Sequence, residues 1–467
     1  MNRHSAISVD LGSSSGRVIL GTLTDGRISQ TQIHRFEHRA RMVDGYLSWD
    51  LDLIWDGICE GLRQAVAQCP DAATVAIDTW GVDYVPMDAT GLALTPGRCY
   101  RDERTQRTRE AYQERLPDDD AWRLTGIAPA TINTANQLLA FLTEEPDLAA
   151  RTSQILLLPD YFAYLLTGVS GWSRSHASTS GLCLPGADMW CDEVFERLGI
   201  PRAWVADISP EHDVVGRCRV PGLEHLTVVR AGAHDTACAV QALAHPADEA
   251  TYFLSCGSWS VLGVLRDEAL LSAEARELGL TNEACAATGM RPLFNITGLW
   301  MLQECQREWR EAGQGAEIAD LVAQASAVES LGVVFDPDEP QFAAPGDMSK
   351  RVVEALRRLG APENPSRAEI IRSILEALAA RYQRGLEALE KLTGTRATAL
   401  ALTGGGSRNA LLCDLTAKAL GIPVLAGPAE ASTLGSLAAQ FRIRGLIDAA
   451  TVSEVLAASA AHSRHLP

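Results

Sequence analysis

Lysine is almost missing from this sequence of 467 residues. The only three are Lys350, Lys391 and Lys418, so no lysine precedes position 350. A P-loop of the form G-x-x-x-x-G-K-[ST] needs a lysine that reaches the transferred phosphate, and no such string occurs. If the protein handles phosphate groups, we expect backbone amides and a metal ion to stabilise most of their charge.

Several other common signals are also missing. The eleven cysteines are scattered and never form C-x-x-C, which argues against a disulfide framework or a zinc site and favours a reducing compartment. No basic leader precedes the first apolar run, and no uninterrupted apolar stretch approaches the length of a membrane span. The formal net charge of -18 argues against nucleic acid or an anionic membrane as the main partner. These absences predict a soluble cytoplasmic protein whose main partner is neither nucleic acid nor an anionic membrane.

The first distinctive stretch is ISVDLGSSSGRVILGTL, at residues 7–23. Two apolar runs flank a turn of glycine and serine, and Asp10 ends the first run. The turn is compatible with a simple hairpin, because Gly and Ser reverse a chain at little steric cost. It can also present a row of backbone N–H groups to a phosphate, although the plain hairpin is the simpler interpretation of this turn considered alone. If the loop is strained, we expect a valine at Gly12 to disturb it.

The next elements are typical of an α/β protein. Residues 27–36 are β-rich, and residues 50–68 carry apolar side chains at helical spacing. Residues 74–78 predict a strand that continues through TWGVDYV, with Trp80 buried and Asp83 facing water as the simplest interpretation. Asp78 ends a buried run, so it needs hydrogen-bond partners, which a polyol would provide.

The same pattern returns in the second half of the chain. TYFLSCGSWSVLGVL, from Thr251, again predicts strand, small-residue turn and strand, with Gly257 at an offset of 245 residues from Gly12. A helix over residues 369–392, introduced by the capping box at Ser366, then leads to strand ALALT, helix NALLCDLTAKAL and strand PVLAG. The repetition predicts two α/β domains, residues 1–244 and 245–467, with AHPADEA (residues 244–250) between them and two small-residue loops facing each other across a cleft.

Two further motifs follow predicted strands. In VVRAGAHDTACAV, Asp235 is compatible with a helix N-cap and with a general base at the end of a strand, whereas His234 alone is more typical of a packed histidine. GGGSRN, at residues 404–409, resembles a dinucleotide fingerprint but has Asn409 at its sixth position and no acidic residue well placed for a ribose. A glycine turn that lets the backbone approach an adenosine fits it as well or better.

Ordered blocks along nearly the whole chain resemble the FGGY family of carbohydrate kinases. The blocks are VDLGSSSGRV, GYLSWD, IDTWGVDYV, YRDERT, LLPDYFAYLLTG, AHDTACAV, LSCGSWSVLG, NITGLWMLQ, TGGGSRN and GPAEASTLGS. The resemblance implies two actin-like, ribonuclease-H-like α/β domains with ATP and a sugar in the cleft between them.

The resemblance also implies roles for individual residues. It makes Asp235 the catalytic base and places Mg2+ near Asp10 through water. The implied sugar contacts are Gly81, His234, Asp235, Thr236 and Asn295. The implied ATP contacts are Ser13, Ser14, Ser15, Gly16, Arg17, Ser258, Gln303, Gly404, Gly405 and Asn409. The chain departs from the family pattern at Ser258, at Ala284 with Cys285, and at Ser436, where threonine, two glycines and asparagine are usual.

Within the family, the blocks are most similar to those of kinases that phosphorylate L-rhamnulose at its C1 hydroxyl. L-Fuculose, L-ribulose and L-xylulose are the alternative substrates. A non-catalytic actin-like sensor of sugar or nucleotide is a rival from another class. A dehydrogenase is a third alternative, but it depends on GGGSRN as a dinucleotide fingerprint, which the sequence does not favour. The oligomeric state stays open.

Overall fold

The structure is a computed structural model that describes residues 3–243 and 251–467. The connection predicted at residues 244–250, and with it the predicted domain boundary, lies outside the described residues. The strands are β1 (His4–Gly12), β2 (Ser15–Thr24), β3 (Arg27–Glu37), β4 (Arg41–Val43), β5 (Tyr46–Ser48), β6 (Thr74–Thr79), β7 (Tyr84–Met87), β8 (Gln154–Leu157), β9 (Asp213–Arg217), β10 (Thr227–Arg230), β11 (Tyr252–Cys256), β12 (Trp259–Val264), β13 (Thr281–Ala284), β14 (Met290–Thr297), β15 (Leu400–Thr403), β16 (Val424–Ala426) and β17 (Ser463–His465).

Helices separate most of these strands. They are α1 (Leu51–Gln68), α2 (Arg104–Arg107), α3 (Arg109–Arg115), α4 (Asp118–Thr125), α5 (Thr134–Glu144), α6 (Pro146–Arg151), α7 (Leu158–Thr167), α8 (Arg174–Ala177), α9 (Asp192–Leu198), α10 (Asp235–Gln241), α11 (Ala273–Glu277), α12 (Trp300–Glu311), α13 (Ile318–Ser326), α14 (Met348–Arg358), α15 (Arg367–Thr393), α16 (Ala410–Leu420), α17 (Ala431–Ile443) and α18 (Val452–Ser459). Short 3-10 turns lie at Ser178–Ser180, Arg202–Trp204, Pro340–Phe342 and Gly405–Arg408.

The chain divides into two compact units. The first contains Met1–Pro246, Arg266–Pro292 and Ala431–Ser459; the second contains Ala247–Leu265, Leu293–Glu430 and Ala460–Pro467. Neither unit is one continuous half of the sequence, because segments from the later part of the chain group with the first unit. Domain limits at residues 244 and 245 stay a prediction.

A six-stranded sheet forms the centre of the first unit, in the order β3-β2-β1-β6-β10-β9. β1, β2 and β3 form an antiparallel meander, whereas β6 and β10 run parallel to β1. Helix α1 packs closely on this sheet, because a β-carbon at Gly61 would overlap Val18. Helix α17 also packs on the sheet, where the Gln440 side chain donates to the backbone oxygen of Ile7.

The second unit repeats this plan. Its strands lie in the order β14-β12-β11-β15-β16-β17, with β11, β12 and β14 antiparallel and with β15 and β16 parallel to β11. Helix α15 begins at the predicted capping box, in which Ser366 accepts from the backbone of Glu369. The predicted repetition of hairpin and parallel strands is therefore confirmed, as are α1, α15, α16, β15 and β16 to within a few residues.

The prediction of one strand that continues through TWGVDYV is wrong. β6 ends at Thr79, Val82 takes a φ of 69°, and β7 pairs with β8 in a separate two-stranded sheet. Asp83 faces the interior instead of water, with 1% of its surface exposed. Its carboxylate accepts from the indole nitrogens of Trp49 and Trp80, at 2.7 and 2.8 Å. The chain thus leaves the extended conformation at Val82, and the two indole donors compensate the burial of the Asp83 carboxylate.

The contact between α17 and α10 generates a prediction about packing. A β-carbon at Gly435 would collide with the backbone oxygen of Cys238 in α10. We expect Gly435→Ala to lower the free energy of unfolding by about 1 to 3 kcal/mol, because backbone atoms in a packed core cannot move aside cheaply. Urea denaturation followed by circular dichroism measures the change.

The neighbouring residue in the same helix provides the control. Ser436 is buried, and no partner for its hydroxyl group is found in the described part of the chain. Ser436→Ala is therefore expected to leave stability within about 0.5 kcal/mol of the parent. Equal losses in the two variants would refute close packing at Gly435 as the cause.

Candidate active site

The parallel strands β1, β6 and β10 end at the same edge of the first sheet. Asp10 on β1 is the direct neighbour of Asp78 on β6. The backbone N–H of Thr79, at the end of β6, donates to the oxygen of Ala233 at 3.0 Å. This pairing places the turn before α10, and with it Asp235, beside the ends of the other two strands.

Asp10 is held by two donors within the first unit. Arg17 on β2 and the hydroxyl of Ser432, at 2.7 Å, both donate to its Oδ2. Asp78 next to it is fully buried, and no hydrogen-bond partner for either carboxyl oxygen lies in the described residues. Burial, reinforced by Asp10 and Asp235 and opposed by Arg17, raises the pKa of Asp78 well above its usual range.

The Gly-Ser loop is a tight hairpin between β1 and β2. Gly12 pairs with Ser15, so Ser13 and Ser14 form the turn, and Ser14 is exposed. Gly12 does not adopt a left-handed conformation, and a β-carbon there would lie 3.6 Å from the nearest atom, the oxygen of Ser15. The strain considered for this loop is therefore not found at Gly12. Gly16 is the crowded position, because a β-carbon there would overlap the ring of Phe36.

Asp235 is the first residue of α10, and His234 occupies the N-cap position without a capping bond from its side chain. The Asp235 side chain is 34% exposed, and its Oδ1 accepts from the N–H of Thr236 at 2.6 Å. His234 Nε2 lies 3.3 Å from the same oxygen. Burial and the charge of Asp10 raise the pKa of Asp235, although His234 and Thr236 oppose them. Asp235 is therefore not the N-cap residue of α10, and its role as a base stays a prediction.

The other residues expected to contact sugar are divided between the units. In the first unit, Gly81 lies against this site: a β-carbon there would be 3.3 Å from Thr179 and 3.4 Å from His234 Nε2. Thr236 is buried beside Asp235. In the second unit, Asn295 lies on β14 and is exposed.

The residues expected to bind ATP in the second unit fall into two groups. The Ser258 hydroxyl donates to Oε1 of Gln303 at 2.8 Å, which brings the second hairpin and α12 together. Gly404 has a φ of 78°, and a β-carbon there would lie 2.8 Å from the backbone oxygen of Cys256. A β-carbon at Gly405 would meet nothing within 4 Å. Asn409 caps α16, since its Oδ1 accepts from Leu412 at 3.0 Å.

Sequence reasoning missed the groups that hold the turn before α10. The N–H of Ala233 donates to Oε1 of Glu211 at 2.8 Å, and the hydroxyl of Ser175 donates to the same oxygen at 2.6 Å. The N–H of His234 in turn donates to the Ser175 hydroxyl at 3.3 Å. Ser175 and Glu211 follow no recognisable spacing, so only the folded chain reveals them.

The departures from the family pattern at Ala284 and Cys285 are packed into the first unit. The N–H of Ala284 donates to the hydroxyl of Ser178 at 3.0 Å, and the oxygen of Cys285 accepts from Arg174 at 2.9 Å.

All eleven cysteines of the chain are free. Within the described residues, no helix is long and apolar enough to cross a membrane.

Comparison with known proteins identifies the family of this chain. The family models for the N-terminal and C-terminal domains of the FGGY family of carbohydrate kinases match residues 5–241 and 252–443. The chain therefore belongs to the FGGY family and is a carbohydrate kinase. A rhamnulokinase of Klebsiella pneumoniae (strain 342) is 36% identical over 441 residues, which cover 94% of this chain and 89% of that protein.

Solved structures establish the fold. A xylulose kinase from Lactobacillus acidophilus superposes with a TM-score of 0.82 at 15% identity, covering 99% of this chain and 94% of that one. The glycerol kinase of Plasmodium falciparum, solved with ADP, superposes with a TM-score of 0.78 at 15% identity and the same coverage. The expected fold of two actin-like, ribonuclease-H-like domains is confirmed.

Glu211 generates a prediction about pH and stability. Burial raises its pKa from 4.5 to about 7, against the hydrogen bonds from Ser175 and Ala233. Below about pH 4.5 the carboxyl group is protonated in the folded and unfolded chain alike. Between that pH and about 7 the unfolded chain releases the proton first, so this group lowers the free energy of unfolding as the pH rises, by about 3 kcal/mol in all.

Glu211→Gln removes this titration. We therefore expect the free energy of unfolding of the parent to fall relative to that of the variant as the pH rises from 4.5 to 7. Urea denaturation at each pH measures this difference. Glu196→Gln, at an exposed position of α9, is the matched control and is expected to give a constant difference. If the difference in stability between the parent and Glu211→Gln does not change with pH, a protonated Glu211 behind the turn is excluded.

Proposed function

We propose that the protein transfers the γ-phosphate of ATP to the C1 hydroxyl of L-rhamnulose, giving L-rhamnulose 1-phosphate and ADP. The support for this sugar is the 36% identity, over 94% of the chain, to a relative named rhamnulokinase. The support for the chemistry is Asp235, a partly exposed carboxylate beside the ends of three parallel strands.

Asp235 accepts the proton of the sugar hydroxyl while the hydroxyl oxygen attacks the γ-phosphorus in line. A general base must lie in direct reach of that proton, and a carboxylate that is one third exposed meets this condition. Its raised pKa makes it a better proton acceptor once ionised. His234, which adjoins Asp235, and Gly81, which lies beside His234, orient the sugar.

The first unit offers oxygen ligands suited to a magnesium ion. No group of three or more His, Cys, Asp or Glu side chains in the described residues is arranged to hold a metal. Mg2+ commonly keeps several waters and binds through one or two carboxylates together with substrate phosphates. Asp10, which lies beside the hairpin loop, fits that kind of site. When bound, the ion neutralises charge on the transferred phosphate.

The hairpin of residues 13–17 is proposed to bind phosphate through its backbone N–H groups and Arg17. The first unit contains no lysine, so a lysine cannot substitute for these groups. In the second unit, Ser258, Gln303, Gly404, Gly405 and Asn409 are proposed to contact ATP. The open space over Gly405 supports a close approach of the nucleotide to the backbone.

A kinase for L-fuculose, L-ribulose or L-xylulose is the second candidate, because identity at this level is compatible with a related substrate. ADP release across a panel of these ketoses and L-rhamnulose separates the possibilities, and the carbon that gains phosphorus coupling in the 13C spectrum identifies the phosphorylated hydroxyl. The highest kcat/KM for L-rhamnulose is expected. ADP release that does not depend on any sugar would contradict the proposal.

Asp235→Asn tests the base. We expect kcat to fall by about two to four orders of magnitude with little change in ATP affinity, because the amide keeps the shape but cannot take the proton. Asp213→Asn, the same change at an exposed position of β9, is the control and is expected to keep full activity. Turnover near the parent value in folded Asp235→Asn would reject the assignment.

A further inference from the structure

A buried ion pair lies directly behind His234 in the first unit. Arg291, on β14, is fully buried, and Glu283, on β13, is nearly so. The Arg291 Nη2 atom lies 2.6 Å from Nδ1 of His234 and 2.7 Å from Oε2 of Glu283. A single nitrogen, with two hydrogens to donate, therefore serves both partners.

The short distance to Arg291 defines the proton positions on His234. A guanidinium group has N–H donors and no acceptor, so at 2.6 Å it must donate to Nδ1. Nδ1 therefore carries the lone pair, and the ring proton of the neutral imidazole is on Nε2. Nε2 is the nitrogen that faces Oδ1 of Asp235, at 3.3 Å. The other tautomer, with the proton on Nδ1, would place the lone pair of His234 Nε2 against a lone pair of Asp235 Oδ1.

Glu283 makes the buried arginine possible. A buried cation without a partner is very costly, and a carboxylate at hydrogen-bond distance compensates its charge. Burial opposes ionisation of Glu283, but the charge of Arg291 counteracts burial, and the pKa of Glu283 stays below the usual value. The pair is therefore charged, and Arg291 has a fixed position from which to donate to the imidazole.

Other groups hold the His234 ring and backbone in place. The backbone N–H donates to Ser175, and the ring lies beside that of His176, with the centroids 6.3 Å apart. Gly81 leaves room on the Nε2 side. Rotation of the imidazole is thereby restricted, so the donor from Arg291 selects the proton position on a ring of fixed orientation.

The contacts of Asp235 are all made by one oxygen. The N–H and hydroxyl of Thr236, at 2.6 and 3.2 Å, and Nε2 of His234 all lie at Oδ1. Among the described residues, these contacts leave Oδ2 as the oxygen that accepts a proton from a substrate. The direction of the Oδ2 lone pairs then depends on how firmly Oδ1 is held.

We propose that Arg291 is a positioning residue: by donating to Nδ1 it holds His234 in the Nε2–H tautomer, which binds Oδ1 of Asp235 and directs Oδ2 to the sugar hydroxyl. The inference rests on the proposed role of Asp235 as the base. It assigns to the pair of Arg291 and Glu283 a function in catalysis beyond filling the core.

The first test is the tautomer itself, measured by 15N spectroscopy of histidine-labelled protein. The chain has ten histidines, so the signals of His234 are assigned from their loss in His234→Asn. We expect Nε2–H in the parent. Glu283→Gln/Arg291→Met removes both buried charges together, and we expect it to give mixed tautomers or Nδ1–H. Arg291→Lys keeps a cationic donor and is expected to restore Nε2–H in part.

The second test is kinetic. We expect the double variant to lower kcat by about tenfold to a hundredfold, the range for a misplaced catalytic group, with the KM for ATP unchanged. Arg291→Lys is expected to recover part of this loss. In a His234→Asn background, the same two substitutions should cause no further loss beyond about twofold, because their effect passes through His234.

These outcomes separate the inference from the proposed function. An Nδ1–H tautomer in the parent, or a double variant that keeps Nε2–H, overturns the role of Arg291. An equal loss of kcat with and without His234 also overturns it, because it indicates a general packing defect. If Asp235→Asn is fully active, the base assignment fails while the tautomer measurement still stands. If the double variant does not fold, the parent spectrum and Arg291→Lys decide.

Discussion

The hydrogen bond from the N–H of Thr79 to the oxygen of Ala233 joins the end of β6 to the turn that follows β10. Because β1, β6 and β10 are parallel, their carboxyl ends meet at one edge, and residues that follow each strand converge. The chemistry of the first unit depends on this edge: Asp10 lies on β1, Asp78 on β6, and Asp235 begins the helix after β10. Ser175 and Glu211 then hold the turn from its other side.

The scarcity of lysine corresponds to the way this chain buries positive charge. All three lysines are exposed, whereas Arg104 and Arg291 are fully buried. A guanidinium group is less strongly hydrated than an ammonium group, and its planar set of donors can serve several acceptors at once. Arg104 donates to Cys99 and Gln137, and Arg291 donates to His234 and Glu283. The two acceptors of Arg104 are reached by two separate nitrogens, Nη1 and Nη2, as a planar guanidinium group allows.

The hairpins, the parallel strands and the long capped helix follow local rules, so the sequence alone predicts them. Asp83 was misplaced because its partners, Trp49 and Gln137, are distant in sequence and only folding brings them together. The positions of Asp10 and Asp235 could be predicted because both follow the ends of predicted strands. The position of Arg291 behind His234 could not be predicted in this way. The one local signal for it is a charged residue within the apolar run MRPLFNIT, and that signal does not identify a partner.

The three carboxyl groups at this edge differ in their donors, and burial raises the pKa of the one that has none in the described part of the chain. Asp78 is fully buried without a partner in the described residues, and burial together with Asp10 and Asp235 favours its neutral form. Asp10 instead has Arg17 and Ser432 as donors, and Asp235 has Thr236 and His234. The two aspartates with proposed roles in phosphate transfer are thus the two that have donors, while burial disfavours the charged form of the neighbour between their strands. A carboxyl group whose charged form is disfavoured repels the phosphates of ATP less, which matters in a unit that has no lysine to attract them.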